Sequence, residues 1–313
     1  MRHVTSGRGF GLPGLLFALA TGCAPVSTST RGAQWSEPAA TDAPRGTLLI
    51  VGGGSQPAEL VRHFVDLAGG PGKAHIAILP MATSDAVATG AEKEAELDSL
   101  GADAFVVNVT RAQADDDAVV RKLATATGIW FPGGDQSLLT AALQGSAVLR
   151  AIHARFQAGA VVGGTSAGAA VMSDSMITGN QFWPGMTAAV DSPSFSRITR
   201  GSIEIVAGLG FVHNAIVDQH FLRRQRENRL FSVVLERPSL LGVGIDEGTA
   251  LKVTPDGKWT VLGRSSVMIL DARRSQVTPV QAGTLGAADV RVSLLPAGST
   301  YDPRTGEVTL PAR

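Results

Sequence analysis

A serine at the apex of a glycine-rich turn is the residue in this chain best placed for covalent chemistry. Ser166 lies within Gly163–Ala169, after an apolar run at Ala160–Val162. The pattern predicts a strand, a tight turn and a helix, an arrangement that strains the backbone and presents the hydroxyl at a sheet edge. The N–H groups that open such a helix can face an oxyanion. The segment predicts a nucleophilic serine; the alternative is a glycine-rich turn with an idle serine.

A histidine at the end of another apolar run is the candidate general base. His220 follows the predicted strand Ala215–Val217 and comes directly after Asp218 and Gln219. The remaining histidines lie in helical patterns, near strands or in the N-terminal segment, and a structural role explains them more simply. A charged helix face would explain the arginines within 223–229 but not a histidine at a strand end. A serine hydroxyl needs a base of this kind to attack a carbonyl.

Two adjacent carboxylates follow a third apolar run. Asp246 and Glu247 come after Leu241–Ile245, and a carboxylate can fix the tautomer of a catalytic histidine. Neighbours in a strand point to opposite faces, so one of the two can reach His220. Asp218 is a further candidate partner. The chain order serine, histidine, acid differs from the order serine, acid, histidine of the α/β-hydrolases, which argues against a lipase or esterase of that fold.

The elements that must position these groups alternate along the chain. Strands are predicted at 47–51, 75–79, 104–109, 129–131 and 160–162, and helices from about 55, at 91–100, at 115–124 and at 137–156. Continuous apolar strands between helices predict an α/β fold with a mostly parallel central sheet and helices on both faces. Ligands bind such sheets at the carboxyl ends of the strands, where Gly52–Gly54, Gly133–Gln136 and Ser166 all lie.

The last third of the chain has a different pattern. Short apolar runs at 241–245, 251–253, 259–262 and 267–270 predict antiparallel strands, and Thr254–Gly257 predicts a hairpin turn between two of them. Residues 46–313 show no internal repeat and no linker composition. We therefore expect the added strands to belong to one α/β domain spanning 46–313.

The first 45 residues predict export. Arg2 and Arg8 precede an apolar stretch at 10–21 that is too short to span a bilayer and ends at Cys23, the only cysteine. The segment resembles a lipoprotein signal peptide (1–22), with Cys23 lipidated and 23–45 a flexible tether rich in Ser, Thr, Ala and Pro. The alternative is an ordinary signal peptide cut near Ala18 or Ala24. Either reading predicts a periplasmic or extracellular protein, with a lipid anchor at Cys23 in the first.

Composition and residue spacing predict no nucleic-acid, metal or cofactor partner. Formal net charge is +0, so nothing predicts a surface for nucleic acid. No His, Cys or Asp spacing fits a metal site, and no cofactor is predicted.

Three segments together resemble the cyanophycinase family, serine peptidases related to peptidase E (aspartyl dipeptidase) with a fold like class I glutamine amidotransferases. They are Gly163–Ala169, Asp218–Phe221 with the arginines that follow, and Gly244–Ala250. The resemblance implies that Ser166 is the nucleophile, His220 its base and Glu247 the partner of the histidine. It implies an oxyanion hole from the N–H groups of Gly134 and Ala167. The substrate-binding positions that it implies are Gln136, Asp218, Gln219, Arg224, Arg226 and Arg229.

The resemblance also implies a substrate. Cyanophycin is a poly-aspartate with an arginine on each side-chain carboxylate, and the family releases β-Asp-Arg dipeptides from its end. Clustered arginines can bind carboxylates in bidentate geometry, and Asp218 or Gln136 can accept hydrogen bonds from a guanidinium. A homodimer is a further expectation.

Other functions stay open at this point. One is a related serine peptidase for other aspartyl or isoaspartyl peptides, and another is a non-catalytic binding lipoprotein. A glutamine amidotransferase would need a cysteine where this chain has Ser166.

Overall fold

Five short apolar strands form the parallel centre of the molecule, for which a computed structural model describes residues 44–182, 190–191, 195–279 and 283–312. They are β1 (Leu48–Val51), β2 (His75–Ile78), β3 (Asp103–Val106), β4 (Gly128–Phe131) and β5 (Val161–Thr165). Their order across the sheet is β1-β5-β4-β2-β3, and each neighbouring pair is parallel. Every residue of β1, β4 and β5 is buried, as strands covered on both faces must be.

Helices cover both faces of this sheet. They are α1 (Ala58–Leu67), α2 (Ala86–Ser99), α3 (Asp117–Leu123), α4 (Gln136–Leu143), α5 (Ala147–Gln157), α6 (Ala167–Ala170) and α7 (Glu227–Glu236), with a 3₁₀ turn at Gln113–Asp115. Alternate residues of β1 enter different cores: Leu49 lies in the core that contains Phe64 of α1, whereas Ile50 lies in the core that contains Ile152 of α5. The predicted α/β architecture, a mostly parallel sheet with helices on both faces, is confirmed.

One predicted helix is two. The expected helix at 137–156 is interrupted between Leu143 and Ala147, because Gly145 has a φ of 69° and Ser146 starts a new helix. The Ser146 hydroxyl accepts a hydrogen bond from the Leu149 N–H at 3.0 Å. Glycine followed by a capping serine is a stop and a start signal, which apolar periodicity alone does not register.

Antiparallel strands add to this centre, as predicted. The remaining strands are β6 (Ser175–Gln181), β7 (Val190–Asp191), β8 (Ile203–Ala207), β9 (Ala215–Gln219), β10 (Leu241–Ile245), β11 (Thr249–Val253), β12 (Trp259–Gly263), β13 (Ser266–Asp271), β14 (Gln276–Val277), β15 (Ala287–Ala288), β16 (Arg291–Pro296), β17 (Thr300–Tyr301) and β18 (Val308–Thr309). β11, β12, β17 and β18 extend the central sheet beyond β1, with the predicted turn at 254–257 between β11 and β12.

A second sheet carries the other chemical segments. Its order is β16-β13-β10-β9, and β9 and β10 are parallel neighbours, so their carboxyl ends lie together. β9 ends just before His220, and β10 ends just before Asp246 and Glu247. The sequence did not predict that this sheet is separate from the first. Its parallel strands β9 and β10 bring the histidine and the carboxylates to one place.

The N-terminal predictions lie outside the described residues. These are the signal peptide (1–22), Cys23 and the tether as far as residue 43. Among the helices that the structure describes, none has the length and apolar character needed to cross a bilayer.

Candidate active site

Ser166 lies at the point where β5 turns into α6. Its φ of 53° and ψ of −110° are rare for a residue with a side chain, and its N–H donates to the Val51 carbonyl at 3.1 Å. Such strain persists only where the surroundings hold it, and it is common at functional sites. The strand-turn-helix expected from the sequence is present, with Ser166 between β5 and the first residue of α6, Ala167.

The His220 imidazole links Ser166 to a carboxylate. Its Nε2 lies 2.8 Å from the Ser166 Oγ, and its Nδ1 lies 2.6 Å from the Glu247 Oε1. An ionised Glu247 carboxylate can only accept hydrogen bonds, so the His220 Nδ1–H donates to it. The lone pair on Nε2 then faces the serine hydroxyl. This arrangement can remove the proton of Ser166 as its oxygen attacks a carbonyl carbon.

A glycine turn after β1 makes room for both partners. A methyl group on Gly53 would overlap the His220 imidazole, and one on Gly54 would lie 2.7 Å from the Glu247 Oε2. The Gly52 carbonyl also accepts the His220 N–H at 2.6 Å. Sequence reasoning placed this turn at the correct edge but gave it no role; the signal was three consecutive glycines directly after a buried strand.

Asp246 turns away from the imidazole. Its Oδ1 accepts the Arg223 N–H at 2.9 Å, and its Oδ2 accepts the Ser265 hydroxyl at 2.7 Å. The two neighbouring carboxylates therefore point to different sides, as a strand end requires. Glu247 contacts the histidine, while Asp246 anchors the segment that follows it.

Burial favours the neutral form of the His220 imidazole. The side chain is 8% exposed, and burial lowers the pKa of the imidazole below its usual value. The hydrogen bond to Glu247 acts in the opposite direction, and the charge of Arg224 lowers the pKa further. The net lowering favours the neutral imidazole, which is the form that can accept a proton.

The predicted oxyanion donors lie on segments next to Ser166. Ala167 is the first residue of α6, where an N–H has no carbonyl one turn earlier to bond. Gly133 and Gly134 follow β4, and a methyl on Gly133 would lie 3.4 Å from the Ser166 Cβ. Since β5 lies between β1 and β4, the serine has His220 on one side and the Gly133–Gly134 turn on the other.

Two of the predicted substrate-binding residues form a buried ion pair with each other. Asp218 and Arg229 are both buried, and the Arg229 Nε donates to the Asp218 Oδ2 at 2.8 Å while Nη2 donates to Oδ1. Arg229 also lies 4.8 Å from the centre of the Phe195 ring. The sequence prediction gave both residues direct contact with substrate, but the structure places neither charged group at the surface.

The side chain of Gln136 also forms hydrogen bonds within the protein. Its side-chain amide is buried and donates to the carbonyls of Ile177, at 3.0 Å, and Thr178. Its predicted role in substrate binding would thus require those bonds to rearrange, or its carbonyl oxygen to be the contacting atom.

Arg224 and Arg226 lie before α7, in an irregular segment. Gln225 has a φ of 52°, and α7 begins at Glu227, so these two arginines are not on the helix that carries Arg229. Arg224 is exposed, and the side chain of Arg226 is 11% exposed. The Arg226 Nη1 donates to the Gln219 carbonyl at 2.7 Å and to its Oε1 at 2.9 Å.

The described residues contain no cluster of three or more His, Cys, Asp or Glu side chains suited to a metal ion.

Known proteins resemble this chain over most of its length. It is 32% identical over 275 residues to the cyanophycinase of Synechococcus elongatus, covering 84% of this chain and 81% of that protein. It is 33% identical over 273 residues to the cyanophycinase of Geminocystis herdmanii, covering 83% and 95%. A solved peptidase from an acI-B1 Actinobacterium has the same fold, with a TM-score of 0.61 and 23% identity over 83% of this chain and 98% of that one.

The family model for peptidase family S51 matches residues 48–261. That range contains the Ser166 turn, the His220 segment and Glu247, the three places where the described geometry converges. The chain is therefore a cyanophycinase-like peptidase and belongs to peptidase family S51.

Proposed function

We propose that this protein is an exported serine exopeptidase that hydrolyses cyanophycin and releases β-Asp-Arg dipeptides through an acyl-enzyme. The observation that carries the proposal is the chain of hydrogen bonds from Ser166 through His220 to Glu247. Membership of family S51 and the cyanophycinases among the relatives support the substrate. The same geometry would serve a related enzyme for other aspartyl or isoaspartyl peptides, so the substrate needs its own test.

The mechanism follows from the positions of the three side chains. The Ser166 Oγ attacks the scissile carbonyl carbon while its proton moves to the His220 Nε2. The oxyanion forms near the N–H groups of Ala167 and Gly134, which stabilise it by hydrogen bonding. The imidazolium, stabilised by Glu247, then gives its proton to the leaving amine, and the C–N bond breaks to leave an ester on Ser166.

Hydrolysis of the ester repeats these steps with water as the nucleophile. Water loses a proton to the His220 Nε2 as its oxygen attacks the ester carbonyl. The imidazolium returns a proton to the Ser166 Oγ as the C–O bond breaks, which releases the acid and restores the enzyme. A binding protein without catalysis would have no use for this arrangement.

Arginines beside the base support a substrate rich in carboxylates. Arg224 is exposed and close enough to His220 to affect its pKa, and Arg226 lies two residues further along. A guanidinium binds a carboxylate through two parallel hydrogen bonds, and each β-Asp-Arg unit presents free carboxylates. Loss of one charge-assisted bond typically costs about ten- to a hundredfold in binding.

Product analysis tests the proposal. Purified protein is incubated with insoluble cyanophycin, and the soluble products are identified by mass spectrometry beside a Ser166→Ala control. We expect β-Asp-Arg dipeptides from the wild type alone. Hydrolysis of isoaspartyl dipeptides without release of dipeptide from the polymer would instead identify the related peptidase, and no hydrolysis of either would leave a binding protein.

Arginine variants test the choice of substrate further. Arg224→Ala and Arg226→Ala should each lower kcat/KM for cyanophycin by about ten- to a hundredfold. The effect on a plain aspartyl dipeptide should be much smaller. Equal, small effects on both substrates would contradict selective recognition of the polymer.

Export is a proposal from the sequence. The basic residues and apolar stretch before Cys23 support a signal peptide, and the cysteine supports a lipid anchor. Expression in bacteria with labelled fatty acid should give a labelled, membrane-bound protein, and Cys23→Ser should lose the label. A wild-type protein that stays unlabelled in the cytosol would contradict the proposal.

A further inference from the structure

The candidate active site is assembled from two different sheets. Ser166 follows β5 of the central sheet, whereas His220 and Glu247 follow β9 and β10 of the second sheet. β9 and β10 are paired, and that pairing supports the contact between His220 and Glu247. The contact of 2.8 Å between the His220 Nε2 and the Ser166 Oγ crosses from one sheet to the other. That distance therefore depends on bonds between the two sheets and not on bonds within either.

One bond between the sheets lies at His220 itself. Its N–H donates at 2.6 Å to the carbonyl of Gly52, which directly follows β1 of the central sheet. This bond fixes the backbone at the carboxyl end of β9 but not the direction from which the strand arrives. A second attachment, further back along β9, is needed to define the orientation of the segment that carries the imidazole.

The second attachment is made by the side chain of Ser173. Its hydroxyl is fully buried and accepts the Val217 N–H at 3.0 Å, three residues before His220. β9 is the last strand of its sheet among the described residues, so an N–H on its outer side needs a partner other than a strand. The hydroxyl of Ser173 supplies that partner.

Ser173 is also close to the nucleophile along the chain. It lies three residues after α6, the four-residue helix that begins directly after Ser166. The chain that follows α6 bonds to the chain that enters β9: the Leu209 N–H donates to the Val171 carbonyl at 2.6 Å. Ser173 itself forms a parallel bridge with Val212. A backbone contact and a side-chain contact together therefore oppose movement of β9 relative to α6.

We propose that Ser173 is a positioning residue for the reaction. Its hydroxyl fixes β9 against the segment that follows α6, and so holds the His220 Nε2 within hydrogen-bonding distance of the Ser166 Oγ. The inference rests on the serine mechanism under the proposed function. Loss of the hydroxyl should loosen the contact between His220 and Ser166, and should spare the contact between His220 and Glu247, which strand pairing supports.

Ser146 provides a matched control for the loss of one buried hydrogen bond. Its hydroxyl is also fully buried and also accepts a backbone N–H at 3.0 Å, that of Leu149 in α5. Ser146→Ala and Ser173→Ala each leave one buried N–H without its partner, so both should lower the midpoint of denaturant unfolding by a similar amount. A merely structural role for Ser173 predicts equal activities for the two variants.

Reaction with a fluorophosphonate measures the serine and histidine without the residues that bind substrate. The Ser166 Oγ bonds to phosphorus, fluoride leaves, and the Ser166 proton moves to the His220 Nε2. Ser173→Ala should lower the rate constant for this labelling, and kcat for hydrolysis, by about ten- to a hundredfold, because small displacements of a catalytic group are costly. KM should change by less than kcat, and Ser146→Ala should keep both rates close to those of the wild type.

A second variant covers the case in which Ser173→Ala does not fold. Ser173→Cys fills nearly the same space with a weaker hydrogen-bond acceptor. Its labelling rate should fall between those of the wild type and Ser173→Ala. A folded Ser173→Cys protein with the labelling rate of Ser146→Ala would contradict the positioning role.

The outcomes separate this role from the proposed function. Equal labelling rates in folded Ser173→Ala and Ser146→Ala would overturn the positioning role, even if the wild type releases dipeptide from cyanophycin. Selective slowing in Ser173→Ala, with no dipeptide released from cyanophycin by the wild type, would uphold the role and contradict the proposed substrate. A wild type that neither hydrolyses peptides nor reacts with the fluorophosphonate would overturn both, since it would have no activated serine to position.

Discussion

His213 and His220 both contact a carboxylate through Nδ1, yet their pKa values shift in opposite directions. The Nδ1 of His213 lies 2.9 Å from Asp174, and the Nδ1 of His220 lies 2.6 Å from Glu247. The hydrogen bond to Asp174 raises the pKa of His213, whose side chain is 68% exposed. Burial lowers the pKa of His220 in spite of its own carboxylate. A carboxylate partner alone does not make a histidine a base at neutral pH.

The second difference concerns what faces the other nitrogen. At His220 the Nε2 meets a serine on a strained turn, and the glycine turn at 52–54 leaves space for the ring. Burial favours the neutral ring, the carboxylate orients it, and in the proposed mechanism the serine is the nucleophile. These three conditions together distinguish a candidate active site from an ordinary surface ion pair.

The largest expected effect comes from neutralising the carboxylate that contacts His220, with the carboxylate that contacts His213 as the control. Glu247→Gln should lower kcat by about 10⁴-fold, because the amide no longer fixes the tautomer or stabilises the imidazolium. Asp174→Asn should leave kcat/KM unchanged. Both variants are compared by steady-state hydrolysis after circular dichroism shows that they fold. Similar losses of kcat in the two variants would contradict the difference in role between the two histidines.

The Asp218 carboxylate, two residues before His220, sharpens the comparison because its partner is an arginine. Arg229→Ala would remove both charged hydrogen bonds from the buried carboxylate and leave the Arg226 Nη1, 3.7 Å from the Asp218 Oδ1, as a more distant cation. The expected loss of stability is therefore at or below the about 3 to 5 kcal/mol that is typical when one partner of a buried ion pair is removed. Denaturant unfolding should show that loss, whereas Arg264→Ala, in an exposed pair with Glu59, should change stability little. An Arg229→Ala protein with unchanged stability and impaired substrate binding would support the direct substrate role that the sequence predicts for Arg229.

The space around the imidazole can be tested separately from its charge. Gly53→Ala should lower kcat by about a hundredfold, because a methyl group there displaces the ring and small displacements of a catalytic group are costly. Gly257→Ala is the matched control: it has a φ of 82°, near the 109° of Gly53, but open space around the added carbon. If both variants lose activity equally, the loss comes from backbone strain and not from displacement of the His220 imidazole.

The smallest expected effect is a shift in pH dependence. The acid limb of kcat/KM should lie below the ordinary pKa of an imidazole, since burial lowers that of His220. The positive charge of Arg224 contributes to the lowering, so Arg224→Gln should move the limb to higher pH. Profiles recorded at low ionic strength give the largest shift. A limb that moves to lower pH in the variant would contradict this electrostatic account.

Local patterns in the sequence predicted much of the fold and the candidate nucleophile. The run Leu48–Val51 indicates a buried parallel strand, and a serine between glycines after Ala160–Val162 indicates a strained turn. The break at Gly145–Ser146 was missed because the periodicity continues across it. The pairing of Asp218 with Arg229 joins β9 to α7 and has no local signature, so the three arginines looked alike. Which of them faces solvent depends on where α7 begins.

The central claim is that Ser166 attacks the peptide bond with His220 as its base. Ser166→Ala removes the hydroxyl and adds no bulk to the turn, so the fold should be retained. The measurement is kcat for cyanophycin hydrolysis, with circular dichroism as the check on folding. The account predicts a loss of several powers of ten. A folded Ser166→Ala protein with activity within about tenfold of the wild type would contradict it.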